Sequence, residues 1–467
     1  LRHQKNYPVL EQVEVIDTGA KGKNIARQGG LVILVDNAVP GDICDIQVYK
    51  KKKGLAEGRA VHFHKYSPDR IEPVCSHFEN CGGCTRQNIN YDKQLFFKQK
   101  AVEDALKRIG KIDFPAINPI IGSEKTEYYR NRLDYAFSSK RWLLQEEMSQ
   151  ENPGEQPGLG FHISGRFDKV LDISRCYLQE DPSNQVRLAI REFALKNDYS
   201  FFDLRNQTGS LRSLIIRTSS TGDLMVVLIF YKETQERIKM MMDFIKNSFP
   251  AITSLYYVVN PKANDTVYDL EHHLYHGNSY IRERYGNLIF HAGPKSFFQT
   301  NSRQADVLYA KAIQMADLKK DETVYDLYTG VGSIALLAAH HCRKVVGIET
   351  VAEAIEYAKQ NAELNNITNA AFFAGDVRDI LNDEFIEKHG KPVVMIIDPP
   401  RNGMDAPVVK KILEIDPERI VYVSCNPATQ ARDLELMKQQ YAVKEVQPVD
   451  MFPHTWHVEN IVTLTKL

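Results

Sequence analysis

The spacing of apolar and polar positions changes its period along the chain, and each change marks a different architecture. Short β-rich runs at residues 12–17, 29–35, 42–49 and 58–64 alternate with glycine turns. Four or five short strands in so short a span are best accommodated by a small barrel. Residues 92–109 then place Leu95, Phe96, Val102, Ala105, Leu106 and Ile109 at helical intervals and stop at Gly110, which predicts a helix. Tyr128-Tyr129-Arg130-Asn131-Arg132 opens a strand, and residues 160–176 pair back after a polar, acidic stretch at 145–158 that reads as a surface loop. A helix at 180–198, strands at 211–218 and 224–231, a helix at 234–249 and further strands to about 284 make a second, α+β unit. After residue 287 a helix at 302–315 leads into strands beginning at Thr323, Val345, Ala371, Val393 and Ile420, each followed by a helix. Such alternation means a parallel sheet covered on both faces, with ligands at the carboxyl ends of its strands. The chain is therefore expected to be multidomain: a small OB-like β-barrel over 1–65, a central α+β domain over 66–285 and an α/β Rossmann-like domain over 286–467.

Composition narrows this picture only slightly. A chain of 467 residues exceeds one hydrophobic core, and 43% apolar with 25% charged residues is usual for a globular protein. No apolar run approaches about 18 residues, so no membrane span is expected, and nothing near Leu1 has the apolar core of a signal peptide. Seven cysteines in so long a chain do not suggest a disulfide framework, and a reducing, cytoplasmic setting is expected. The net charge of −1 names no partner, and no obligate protein partner is indicated. Its distribution is more informative. Residues 1–111 hold 19 Lys and Arg against 13 Asp and Glu, an excess that suits a polyanion. Lys50-Lys51-Lys52-Lys53 falls on one barrel connection and Lys21, Lys23 and Arg27 on another, where they could hold a nucleic-acid backbone or simply form a solvated face.

Candidate chemistry gathers in three places. Residues 323–339 run as a strand, a turn on Gly330 and Gly332, and a small-residue helix from Ser333, which brings backbone N–H groups close to a ligand. The next strand ends in Glu349, placed to accept the ribose hydroxyls of a nucleoside cofactor. Asp326 precedes the turn; its charge would repel a pyrophosphate and attract the sulfonium and ammonium of S-adenosylmethionine, which favours the latter. Second, Cys75, Cys81 and Cys84 cluster, with Gly82-Gly83 allowing a sharp path, and Cys176 is delivered by the strands that pair back. Four thiolates suit zinc or an iron–sulfur cluster, and spacing alone leaves both open. Third, polar residues sit at strand ends: Asp376, Asp398-Pro399-Pro400-Arg401 and Ser424-Cys425-Asn426-Pro427. Cys425 ends a strand, Asn426 is a good N-cap and Pro427 a favoured first helical residue, so the helix dipole should help the Cys425 thiolate.

These residues resemble the RNA (uracil-5-)-methyltransferases. The matching pieces are Ser296-Phe297-Phe298-Gln299-Thr300-Asn301, Asp326-Leu327-Tyr328 with Gly330 and Gly332, Asp398-Pro399-Pro400-Arg401, Ser424-Cys425-Asn426-Pro427 and His457-Val458-Glu459. The N-terminal barrel resembles the TRAM module, and Cys75, Cys81, Cys84 and Cys176 look like the 4Fe–4S ligands of the family's 23S ribosomal RNA branch. The resemblance implies S-adenosylmethionine as cofactor, with contacts from Gln299, Tyr328, Glu349, Asp376 and Asp398; no contact is transferred to Ser333, where the ribosomal enzymes carry asparagine. It implies Cys425 as the nucleophile, Glu459 as the base and RNA as the partner, ribosomal RNA ahead of transfer RNA. Amino-methylation of adenine has no use for Cys425. A non-catalytic RNA-binding or assembly protein, the other alternative, would have no need of Cys425 and Glu459.

Overall fold

The computed structural model describes residues 7–19, 22–148, 156–163 and 166–467. Lys21 and residues 149–155 of the acidic stretch lie outside the described residues, while Gln145–Met148 forms one helical turn, α2 below, rather than loop.

Strands β1 (Val9–Thr18), β2 (Asn24–Gln28), β3 (Leu31–Asp36), β4 (Ile43–Lys52) and β5 (Leu55–Lys65) close into a barrel in the order β1-β2-β3-β5-β4. Alternate residues Cys44, Ile46 and Val48 of β4 turn inward onto Val13, Val15, Ile33 and Val35. Strand β2 gives little apolar signal because its first residue, Asn24, is buried through hydrogen bonds: Nδ2 donates to Ala38 O at 2.7 Å and Oδ1 accepts from Arg86 Nη1 at 2.7 Å. Of the lysine run only Lys53 is on the connection. Lys50, Lys51 and Lys52 continue β4 beyond the barrel core, exposed, with Lys50 bonded to Glu57 across the hairpin.

Helix α1 (Tyr91–Ala105), capped by Asn90 accepting from Lys93 N at 2.9 Å, continues into a π-helical turn at Leu106–Gly110. A sheet follows, built from β6 (Arg132–Ser138), then, after α2 (Gln145–Met148), β7 (Gly158–Ile163), β8 (Arg166–Asp172), and, after α3 (Ser183–Lys196), β9 (Leu211–Thr218), β10 (Leu224–Phe230), and, after α4 (Gln235–Ser248), β11 (Ser254–Val259) and β12 (His273–Gly277). Its order is β12-β11-β10-β9-β6-β7-β8. One face, with Leu133, Tyr135, Leu214, Ile216 and Val226, packs on Val186 and Ile190 of α3 and Ile238 and Met242 of α4. The expected boundary at 285/286 falls in the hairpin of β13 (Ile281–Tyr285) and β14 (Leu288–Ala292), whose strands stay paired.

The last unit runs α5 (Ser302–Ala316), β15 (Thr323–Leu327), α6 (Ser333–Ala339), β16 (Lys344–Glu349), α7 (Ala352–Leu364), β17 (Ala370–Ala374), α8 (Val377–Ile380), α9 (Asp383–His389), β18 (Val394–Ile397), α10 (Ala406–Ile415), β19 (Arg419–Ser424), α11 (Pro427–Met437), β20 (Tyr441–Val449) and β21 (Glu459–Lys466). Sheet order is β17-β16-β15-β18-β19-β21-β20, parallel except for β21, which runs antiparallel to its neighbours β19 and β20. The chain crosses from one side of β15 to the other between β17 and β18, and this switch opens a crevice at the carboxyl ends of β15 and β18. Among the described residues no helix is long and apolar enough to cross a membrane.

Candidate active site

The turn after β15 is built from left-handed backbone. Tyr328 has φ 65°, Gly330 58° and Gly332 86°. An aromatic residue in that region is strained, and such strain concentrates at ligand sites. A Cβ on Gly330 would meet nothing within 4 Å, so the space above it is open, whereas one on Gly332 would press Phe372 at 3.1 Å. Glu349, at the end of β16, braces the turn: one carboxylate oxygen accepts from Gly330 N at 3.2 Å and the other from Val351 N at 3.0 Å. Burial, with Asp405 and Asp376 as the nearest negative influences, pushes the Tyr328 phenol up to about 12. Asp376 caps α8, accepting from Arg378 N at 2.9 Å. Gln299 is buried just before α5, and its carbonyl accepts from Asn131 Nδ2 at 2.9 Å.

Two buried carboxyls, Asp326 and Glu459, and one half-buried carboxyl, Asp398, lie beside this crevice. Asp398 follows β18 and burial pushes it up to about 7. Asp326 is raised to about 7 by burial, with Asp398 adding to it, while the Thr329 hydroxyl donates to it at 2.5 Å. Near neutrality the Asp326 carboxyl of the ligand-free protein is therefore only partly ionised, and it attracts a cation less than a full charge would. Glu459 is raised to about 8 by burial and then by Asp398, with Arg401 pulling the other way. One oxygen of Asp326 and one of Glu459 are buried without a hydrogen-bond partner. Unpartnered carboxyl oxygens in a negatively biased crevice suit a cationic ligand. Tyr309 of α5 is buried where Asp398, Glu459 and Asp326 all act on its phenol. A mid-helix tyrosine at a core-facing position gives no sequence signal, and the sequence reading missed it.

Cys425 and Glu459 are brought together by sheet order. Strand β21 pairs antiparallel with β19, Ser424 opposite Asn460, so the start of β21 lies beside the end of β19. Asn426 caps α11 as expected, accepting from Ala428 N at 3.2 Å, and its Nδ2 donates to Arg401 O at 3.0 Å. The helix start at Asn426 assists the Cys425 thiolate but does not decide its charge. Burial, Glu459 and Asp398 together push the Cys425 thiol up to about 12, and only Arg401 and a local backbone N–H oppose them. A helix dipole contributes roughly 0.3–1 kcal/mol and is outweighed by desolvation.

The four cysteines converge as well. Cys75, Cys81, Cys84 and Cys176, all free thiols, line one hollow of about 20 Å³ together with Phe78, Phe161 and Ile173. Burial pushes Cys84 up to about 12 and Cys176 up to about 11. Among the described residues of the ligand-free protein no group of three or more His, Cys, Asp or Glu is already drawn together tightly enough to hold a metal ion.

The raised carboxyls set a pH dependence. Folding favours the protonated form of Asp326, Asp398 and Glu459, so their contribution is complete at low pH and is lost as pH rises through about 7 to 8. His454 and His457, both pushed down to about 4 by burial, act with opposite sign, but only below the ordinary imidazole value of about 6.5. The stability of the ligand-free protein should therefore fall between pH 6.5 and 8, by about 1.4 kcal/mol per pH unit for each carboxyl still protonated, and its thermal midpoint should fall with it. Asp398→Asn should flatten that slope in differential scanning fluorimetry. A slope equal to the parent's would show that Asp398 does not titrate in this window.

Residues 211–467 match the family model described as tRNA (uracil-5-)-methyltransferase. A Bacteroides thetaiotaomicron protein described as an uncharacterized RNA methyltransferase is 55% identical over 450 residues, 95% of this chain and 99% of its own. A Chlorobaculum tepidum relative with the same description is 37% identical, covering 97% and 96%. Among solved structures, that of Pyrococcus abyssi tRNA (uracil-54, C5)-methyltransferase in complex with S-adenosyl-L-homocysteine superposes with a TM-score of 0.73 at 29% identity, covering 97% of this chain and 100% of that one.

Proposed function

The chain belongs to the tRNA (uracil-5-)-methyltransferase family and is an S-adenosylmethionine-dependent RNA methyltransferase, and we propose that it methylates carbon 5 of a uridine in 23S ribosomal RNA through a covalent bond between Cys425 Sγ and carbon 6 of the base. The observation that carries the reading is the pairing of β19 with β21, which sets Cys425 and Glu459 at one strand end beside the crevice. Gln299, Tyr328, Glu349, Asp376 and Asp398 would hold S-adenosylmethionine. When bound, the cofactor supplies a methyl group on a sulfonium, an electrophile that uracil carbon 5 is too weak a nucleophile to attack unaided.

Cys425 supplies the missing electron density. Its Sγ bonds to carbon 6 as the thiol proton leaves to water, and the carbon 5–carbon 6 π pair moves onto oxygen 4 as an enolate. Carbon 5 then takes the methyl group and still carries its hydrogen. Glu459, ionised, removes that proton; the pair restores the carbon 5–carbon 6 double bond, the Sγ–carbon 6 bond breaks and Cys425 regains a proton. Burial opposes both charged forms, the Cys425 thiolate and the Glu459 carboxylate, while Arg401 lowers both groups' pKa. A cationic cofactor in the same crevice acts in the same direction. The target base must leave its stack to reach the strand end.

The barrel over 1–65, read as a TRAM module, would hold RNA backbone through exposed Lys51, Lys52 and Lys53, with catalysis in 286–467. Cys75, Cys81, Cys84 and Cys176 would hold a 4Fe–4S cluster, zinc being the alternative. The donor set fits either group, since four free thiols share one apolar hollow, and a bound cluster would supply iron–thiolate cross-links between residues 75–84 and Cys176. Anaerobically purified protein should be brown, with visible absorption that Cys81→Ser diminishes; colourless protein with stoichiometric zinc overturns the cluster.

The ribosomal target rests on the four-cysteine set, while the Pyrococcus neighbour, a transfer RNA enzyme, favours the second reading. Mapping 5-methyluridine in cells lacking this protein separates them. Loss at a 23S uridine is expected, loss only in transfer RNA moves the target there, and loss in neither overturns uracil methylation.

A further inference from the structure

The face of the central sheet turned away from α3 and α4 carries a half-open cavity of about 450 Å³, in the size range of small-ligand sites, about 300–1,000 Å³. Asp134 and Ser213 contribute to its floor, Tyr268 stands on one wall, and Pro294 and Lys295 form another. This second wall is the start of the segment that ends at Gln299 and Thr300. Lys295 and Gln299 are four positions apart, so their backbones are at most about 14 Å apart. Asn131, next to Arg132 of the cavity, closes the connection: its N–H donates to Thr300 O at 2.8 Å and its Nδ2 to Gln299 O at 2.9 Å. A chain with one base in the crevice could place a near neighbour in this cavity.

The chemistry of the lining narrows the ligand. Its ionic groups are largely paired: Arg132 with Asp134 at 3.0 Å, Arg212 with Asp265 at 2.7 Å and Asp168 with Arg205 at 2.6 Å. Lys295 is held loosely, 3.8 Å from Glu353. Paired charges do not make a metal site, and one loose lysine does not make a trap for a free polyphosphate. What remains is a lining of apolar side chains with the Ser138, Ser213 and Thr266 hydroxyls and the His162 and His272 rings, one loosely held cation, and an exposed ring, since Tyr268 is 56% exposed. That set matches a flat base with hydrogen-bonding edges attached to one phosphate. We propose that this cavity binds an unpaired nucleotide of the RNA substrate, close in sequence to the target uridine, with its base stacked on Tyr268 and its phosphate near Lys295.

The proposal rests on the uridine-methylation reading for its substrate but is tested apart from it. Affinity of the full-length protein for a 23S ribosomal RNA transcript, and separately for unfractionated transfer RNA, is measured without cofactor. Tyr268→Ala should weaken binding of the substrate RNA roughly 5- to 100-fold, the effect of losing one base–aromatic stack. Tyr268→Phe should bind as the parent does, and S-adenosylmethionine binding and thermal midpoint should be unchanged in both. Ultraviolet cross-linking should attach RNA to the peptide containing Tyr268. Parent-like affinity in Tyr268→Ala, equal losses in the Ala and Phe variants, or no RNA binding by the parent overturns the cavity assignment. Absence of a Cys425–RNA adduct in Glu459→Gln given S-adenosylmethionine overturns the covalent methylation reading and leaves these affinities to speak for the cavity alone.

Discussion

Cys425→Ala incubated with RNA and S-adenosylmethionine should make no 5-methyluridine and no covalent protein–RNA species, with activity down by more than about 10⁴-fold, as expected for loss of a nucleophile. Glu459→Gln should behave oppositely on a denaturing gel. Its Cys425 still adds to carbon 6 and the methyl group still transfers, but carbon 5 keeps its proton and release slows by about 10²–10⁴-fold. A shifted protein–RNA band should therefore accumulate in Glu459→Gln and be absent in Cys425→Ala. Folding should survive in both. Cys425 is only half-buried at a strand end, and Gln replaces Glu459, a carboxyl raised to about 8, with a neutral isostere. The gel also reads the order of events: an adduct in Cys425→Ala, or 5-methyluridine from it, removes the thiol from the mechanism.

Lys98→Met should be the most damaging substitution outside the crevice. Lys98 of α1 is 3% exposed and its Nζ lies 2.6 Å from Asp450, which is fully buried, and 2.9 Å from Phe452 O. Removing the cation leaves Asp450 with the Tyr91 hydroxyl at 2.9 Å and Phe452 N at 3.0 Å but no countercharge, a loss of about 3–5 kcal/mol. The damage should not stay local. Residues 450–458 form a strap from β20 to β21 that ends at Glu459. Thr85 N and Arg86 N donate to His454 O at 2.8 and 3.0 Å, the Tyr129 hydroxyl to Pro453 O at 3.0 Å and Asn301 Nδ2 to Met451 O at 3.1 Å. Lys98→Met should lower the thermal midpoint and kcat together, and Lys98→Met with Asp450→Leu should recover much of the midpoint. A double variant no more stable than the single one would show that the pair is not the source of the loss.

The strap also shows where sequence reading stopped. The helical period of 92–109 identifies α1, but it treats Lys98 as one more charged position, since nothing local says that Asp450 waits across the fold. The N-cap at Asn426 and the Pro427 start were legible because capping is a contact between near neighbours, and the α6 boundaries at Ser333 and Ala339 followed from the glycine turn before them. Strand β2 was not legible, because a buried asparagine satisfied by Arg86 carries no apolar signature. The lysines at 50–52 were assigned to a connection because charge suggests a turn, whereas they extend a strand past the end of its core.

Local chemistry is readable from the residues alone: strands that alternate with helices, a turn that needs glycine at 330 and 332, four cysteines, and a cysteine at a strand end. The sequence supplied Glu459 only through resemblance to a family. Tertiary structure decided the rest. Insertion of β21 between β19 and β20 puts Glu459 beside Cys425, and strands β7 and β8 return the chain so that Cys176 meets Cys84. It also decided charge, holding the Cys425 thiol near 12 where the helix start alone suggested an easier thiolate. The physical reason is common to all three. Periodicity and capping are set by residues within one turn or one strand, whereas strand order and desolvation depend on which distant segments exclude water from a site.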